Sequence, residues 1–213
     1  MAIHAYQEIY LNKAQAMLGN AFDHAINTCN IPGPVFVKLF TASSVSKRME
    51  NGDPAFVFGK SGIDIASDVM LETTGRLLEA EPQDHFSRSR EYWIGWALCY
   101  YQWFSSRSYM DIFKVLSYKD LENMYHILHE ADITKFADIL DEKVRHHFKD
   151  TNLKRIRSAY GCTQAELAKR SDVSLRSIQM YEQRNKDINK ASAISLYQIS
   201  RVLGCTVEDL LEK

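Results

Sequence analysis

The stretch that decides the C-terminal fold reads Thr163-Gln164-Ala165-Glu166-Leu167-Ala168-Lys169-Arg170-Ser171-Asp172-Val173-Ser174-Leu175-Arg176-Ser177-Ile178-Gln179-Met180-Tyr181-Glu182. It opens on a capping box: the Thr163 hydroxyl can accept from the Glu166 amide, and the Glu166 side chain can reach back to Thr163. Cys162 and Leu167 stand at the two staple positions. This predicts a helix running to about Arg170. Ser171-Asp172-Val173 then makes a tight turn, and Ser174 caps the next helix, Leu175 to about Gln183. Upstream, a helix over Leu153–Ala159 stops at Tyr160-Gly161, where Gly161 can take the left-handed cap. Downstream, Arg184-Asn185-Lys186-Asp187 reads as a loop, a helix near Ala191–Leu203 stops at Gly204, and Thr206-Val207-Glu208-Asp209 opens a last short helix. Asn152–Leu211 therefore reads as five short helices.

Several spacings in this region match one pattern at once: Thr163 to Ala168, Val173-Ser174, Ser177-Ile178, Glu182, and Leu203 to Leu211. On these residues the segment resembles the Cro/lambda-repressor-like (XRE-type) helix-turn-helix family of bacterial and phage regulators. The resemblance implies a five-helix DNA-binding domain whose third helix enters the major groove of duplex DNA. It assigns the base-facing positions to Leu175, Arg176 and Met180. Arg176 can donate two hydrogen bonds to guanine O6 and N7, whereas Leu175 and Met180 offer only apolar contact, for instance to a thymine methyl. Gln164, at the start of the second helix, is placed to meet a phosphate. Ser174, Ser177, Gln179, Asn185, Lys186 and Lys190 are further phosphate candidates. Arg157 and Glu182 match a family pair that forms an internal salt bridge, which makes both structural. Asp172 departs from the family's usual glycine at the turn; aspartate tolerates a left-handed backbone better than most residues. Ala168 sits where two helices approach closely, and Val173 and Ile178 fill the core between them.

Charge distribution agrees with a polyanion-binding tail. The chain of 213 residues has 26 Lys and Arg against 27 Asp and Glu, a formal net charge of −1. That balance hides an asymmetry: residues 149–213 hold 12 basic and 8 acidic side chains, and residues 1–148 hold 14 and 19. With 46% apolar and 25% charged residues, the composition is that of a soluble globular protein with a real core. His4, Gln7 and Glu8 interrupt any signal-peptide-like apolar stretch. The most apolar window, Trp93–Phe104, is too short to span a membrane. Cys29, Cys99, Cys162 and Cys205 are scattered without a paired spacing, which suits reduced thiols in a cytoplasm. The expected location is thus cytoplasmic, and the nucleoid when DNA is bound.

The N-terminal part also reads as helical, giving an all-α chain: a helical bundle over 1–148 and the DNA-binding domain over 151–213. A helical stripe over Ala5–Thr28 ends at Pro32-Gly33-Pro34; a second helix, Val35–Met49, is closed by Asn51-Gly52-Asp53-Pro54. Ala55–Phe58 reads as a short extended piece. Ile63, Ala66, Val69, Met70, Thr73 and Leu77 mark another helix, and Glu81–Asp84 a loop. A helix over about Arg90–Phe104 is followed by three shorter ones capped by Ser108, Ser117 and Asp132. The aromatic run around Trp93, Trp96, Tyr100 and Trp103 is apolar on every side, as the central helix of a bundle would be. The alternative for these aromatics is a partner or dimer surface.

No catalytic constellation is apparent, so no enzyme activity and no cofactor is expected. His126, His129 and Glu130, and the adjacent His146 and His147, lack a third ligand at a recognisable spacing, so no metal is expected. Gly59-Lys60-Ser61 resembles the end of a phosphate-binding loop, but Pro54 stands where the motif's first glycine belongs. Segments Phe58–Ala66 and Glu130–Phe136 make the whole chain similar to uncharacterised gut-bacterial helix-turn-helix proteins of the same two-part layout, some of them near genes resembling toxin–antitoxin components. The leading expectation is a homodimeric repressor that binds double-stranded DNA. The runner-up is an antitoxin, whose N-terminal domain binds a cognate toxin while the C-terminal domain autoregulates the operon.

Overall fold

The computed structural model describes residues 4–78, 88–147 and 150–212, so the loop expected at Glu81–Asp84 and the boundary residue Lys149 lie outside the described residues. All regular structure among the described residues is helical. The chain divides into two compact units, Met1–Val144 and Arg145–Lys213. That division falls in the last turn of a helix, a few residues ahead of the polar Lys149–Asn152 stretch.

The N-terminal unit begins with a 3-10 turn, Glu8–Tyr10, leading into α1 (Leu11–Asp23) and a π-helical turn over His24–Thr28. Then come α2 (Gly33–Ala42), α3 (Ser44–Glu50), α4 (Pro54–Val57) and α5 (Gly62–Thr74). After the undescribed segment follow α6 (Arg90–Ser105), α7 (Tyr109–Val115), α8 (Tyr118–Leu128) and α9 (Ile133–His147). Two expectations are corrected here. The helix read as continuous over Val35–Met49 breaks at Ser43, whose extended backbone (ψ 161°) separates α2 from α3. The Ser43 hydroxyl and amide both bond to carbonyls at the end of α2, an alternative that serine offers the backbone in competition with the helix. Of Ala55–Phe58, read as extended, Ala55–Val57 instead lie in the one-turn helix α4, and Phe58 follows as its C-cap. Asp53 caps it by accepting from the Ala55 amide, with Pro54 at its first position.

Helix α6 is central. Tyr92, Trp93, Ile94, Ala97, Leu98, Cys99, Tyr101 and Trp103 are all buried, and they cover its whole circumference. A helix surrounded in this way must meet neighbours on several sides, and α6 packs most extensively on α1, with α8 on another side. The α1–α6 crossing depends on Gly19 and Gly95, which bring the two backbones together. Ser89, Ser108 and Ser117 each cap the helix that follows, and Asp132 accepts from the Thr134 amide at the start of α9.

The C-terminal unit contains α10 (Asn152–Tyr160), α11 (Gln164–Ser171), α12 (Leu175–Glu182), a 3-10 turn over Ile188–Lys190, α13 (Ala193–Leu203) and α14 (Val207–Leu210). Gly161 and Gly204 end α10 and α13 in the left-handed conformation, at φ 80° and 67°. Leu153, Leu167, Ile178, Ile199 and Leu210, all fully buried, form one core. Burial of each such side chain contributes about 1.5–3 kcal/mol. Glu212 is tied into the same unit. Asn152 donates its amide to Glu212 Oε1 at 2.6 Å, and Asn189 exchanges two hydrogen bonds with the Glu212 backbone, at 2.6 and 2.9 Å.

Candidate nucleic-acid interface

The interface is built on α11, the turn after it, and α12. Thr163 and Glu166 form the capping box in full: each side chain accepts the other's backbone amide, at 3.2 and 2.7 Å. These bonds hold the Glu166 carboxyl below its ordinary pKa, the Thr163 amide contributing most. The turn is closed by Asp172, which takes the left-handed conformation at φ 53°. A glycine would adopt this without strain, but aspartate is among the few other residues that visit it routinely. Ser171 and Val173 on either side are buried, so the turn is anchored by its flanks.

Ser174 then caps α12 by accepting from the Ser177 amide at 3.1 Å. Within α12, Ile178, Tyr181 and Glu182 are buried and define the inward face. At 3.6 residues per turn the opposite face belongs to Arg176 and Met180, one turn apart, while Gln179 and Leu175 lie on the flank between that face and Glu182. Arg176 is exposed, Leu175 is 41% exposed, and Met180 and Gln179 are half-buried.

The remaining candidates are spread more widely. Ser174 and Ser177 sit at the N-terminal turn of α12, with their hydroxyls bonded to each other at 2.9 Å. Asn185 and Lys186 lie in the loop after α12, where Asn185 donates to Gln183 and the Lys186 ammonium stands 5.3 Å from the Tyr181 ring centroid. Lys190, in the following turn, lies 3.8 Å from Asp187. Gln164 is placed differently from the rest: its side-chain amide donates to Glu182 Oε2 at 2.7 Å.

Beneath the interface, Arg157 of α10 meets Glu182 of α12 in a two-pronged pair. Nε to Oε1 is 2.6 Å and the second nitrogen to Oε2 is 3.0 Å. The third guanidinium nitrogen donates to the Cys162 carbonyl at 2.7 Å. The side chains are 13% and 2% exposed. The bonds to Glu182 raise the guanidinium pKa further above its ordinary value. Glu182 therefore accepts three hydrogen bonds, linking α10, the start of α11 and the end of α12. The bond from Gln164 had no signal in the sequence beyond a polar residue at a helix start. Arg170 is a further cation on the exposed surface of α11, held over the Tyr160 ring and bonded to its hydroxyl at 2.9 Å.

Two short helices joined by a tight left-handed turn, the second presenting an arginine and apolar side chains outward, define a helix-turn-helix unit. Residues 153–210 match the family model for helix-turn-helix proteins of the XRE type. The C-terminal unit is thus a helix-turn-helix domain, of the kind DNA-binding transcription regulators carry. No curated protein and no solved structure matches the chain. Among the described residues, no three His, Cys, Asp or Glu side chains gather as a metal-ligand set would, and no helix is long and apolar enough to cross a membrane.

Proposed function

We propose that this protein is a sequence-specific double-stranded DNA-binding repressor. It binds as a homodimer, with α12 of each copy in a major groove and residues 1–148 supplying the dimer contact. The observation that carries this reading is the division of α12 into a buried face and an outward face led by Arg176. Lys186, Lys190 and Arg170 are exposed in the same unit and supply positive charge that can replace phosphate counterions. Arg176 reads guanine, and Leu175 and Met180 touch thymine methyls. Gln164, whose amide is held by Glu182, keeps its side-chain carbonyl and backbone amide at the start of α11, where the amide meets a phosphate.

Selection of bound sequences from a random duplex pool tests the reading. The full chain is expected to recover a palindromic site with half-sites about one helical turn apart, with affinity falling steeply as salt rises. Arg176→Ala should lose about 1–3 kcal/mol on that site and flatten the preference at one base position. An unchanged recovered sequence with this variant removes Arg176 from the readout.

A single short recognition helix seldom holds DNA usefully at physiological salt, which is why dimerisation belongs to the proposal. The N-terminal unit is the larger surface, and a specific interface needs about 800 Å² per partner. Light scattering of the full chain should give a dimer at micromolar concentration. A monomer that still recovers a palindrome would place dimerisation on the DNA rather than in solution.

A further inference from the structure

The π-helical turn that ends α1 brings together two side chains that an α-helix would keep apart. In an α-helix, residues five apart lie about 140° apart around the axis. Here the Cys29 amide bonds the His24 carbonyl at 2.9 Å, closing the wider five-residue ring, and the Ile31 amide reaches Ala25. The result places Cys29 Sγ 3.5 Å from His24 Nε2. Such turns are uncommon and often mark functional positions. His24 is buried and Cys29 half-buried. A thiol and an imidazole within hydrogen-bond reach are the arrangement of a nucleophile and its base.

The other thiols provide internal references. Cys99 and Cys162 are buried. Cys205 is half-buried like Cys29, but the charged group beside it is the Asp209 carboxylate rather than an imidazole. Burial lowers the His24 pKa, with Asp23 opposing, so the ring is neutral and able to accept a proton at neutral pH. Burial also raises the Cys29 thiol, so the resting pair is thiol and imidazole rather than thiolate and imidazolium.

We propose that Cys29 is a modification site for hydrogen peroxide, with His24 as its base. As sulfur attacks one peroxide oxygen, the S–O bond forms and the O–O bond breaks. The thiol proton passes to His24 Nε2, and the departing hydroxide is protonated to water at the expense of that imidazolium. Sulfur is oxidised to the sulfenic acid, and peroxide is reduced to water.

The test treats the full-length protein with hydrogen peroxide, traps sulfenic acid with dimedone, and follows each cysteine by peptide mass spectrometry. Cys29 is expected to label about tenfold faster than Cys205 or better, since a positioned base typically contributes 10²–10⁴-fold. In His24→Gln the lead should vanish while Cys205 is unaffected and Cys99 stays unlabelled. Equal rates at Cys29 and Cys205 in the parent protein overturn the proposal, as does a lead that survives His24→Gln. If that substitution opens the fold and Cys99 labels, the parent protein in heavy water decides. A slowing at Cys29 that Cys205 does not share supports proton transfer in the step, and equal solvent effects refute it.

Discussion

Arg157→Ala is expected to unfold the C-terminal unit while the N-terminal unit stays helical. Glu182 is 2% exposed, and Arg157 supplies two of its three hydrogen bonds. Removing the guanidinium leaves a carboxylate in the interior with only the Gln164 amide as partner, and it strips the Cys162 carbonyl of its donor. Breaking a buried pair from one side costs about 3–5 kcal/mol. A domain of this size has about 5 kcal/mol in total, so about 0–2 kcal/mol would remain and modest warming would unfold the unit. The pair itself contributes less than this figure, because two charges had to leave water to form it. Arg157→Met combined with Glu182→Leu should therefore recover much of the loss. Recovery would be incomplete, since the Cys162 carbonyl still lacks its donor; Gln164 is half-buried and can turn towards water. Hydrogen exchange on the full chain separates the outcomes by region. Protection retained over 153–210 in Arg157→Ala would mean that water reaches the carboxylate and the pair is dispensable.

The parts of this fold legible in the sequence are those governed by local chemistry. Thr163 with Glu166, Ser174 before Leu175 and Gly161 after Tyr160 mark helix ends because capping is decided within a few residues. Asp172 at the turn was legible for the same reason, since its tolerance of φ 53° belongs to the residue itself. Where tertiary packing competes with local pattern, the sequence misled. Val35–Met49 holds no glycine or proline at which a helix would stop, and the end of α2 is marked by the Ser43 hydroxyl and amide bonding back to Phe40 and Leu39. Ala55–Phe58 looked extended because one helical turn is too short to show a period. The clasp of Glu212 with Asn152 and Asn189 joins residues far apart in sequence, and no local signal announces it. The Cys29–His24 contact was hidden for a sharper reason: five-residue spacing falls on different faces of an α-helix, and nothing in the residues foretells a π-helical turn. At the interface, exposure of Arg176 follows from the period of α12, whereas the hold of Glu182 on Gln164 needed the crossing of two helices to appear.

Gly95→Ala is expected to destabilise the N-terminal unit by about 2 kcal/mol or more, although alanine is the better helix former. In an exposed helix interior this exchange would stabilise by about 0.5–1 kcal/mol. At Gly95, a Cβ would stand 2.5 Å from the Leu18 carbonyl oxygen and 3.0 Å from the Gly19 Cα. Neither atom belongs to a flexible side chain, so relief requires α1 and α6 to move apart. That separation would loosen the most extensive helix pair of the unit, whose shared core includes Leu18, Ala21, Ile94 and Leu98, each fully buried. Overpacking a well-filled core costs about 1–3 kcal/mol, and more where backbone is the obstacle. Gly19 faces the same crossing from the other helix, with a Cβ there 2.9 Å from the Tyr92 carbonyl oxygen, so Gly19→Ala should behave alike. The two substitutions act on one contact, and the double variant should lose less than the sum of the singles. Denaturant melts followed by the fluorescence of Trp93, Trp96 and Trp103, all on α6, report this unit alone. A Gly95→Ala midpoint at or above that of the parent would show that the helices part without cost, and that the close approach is incidental to stability.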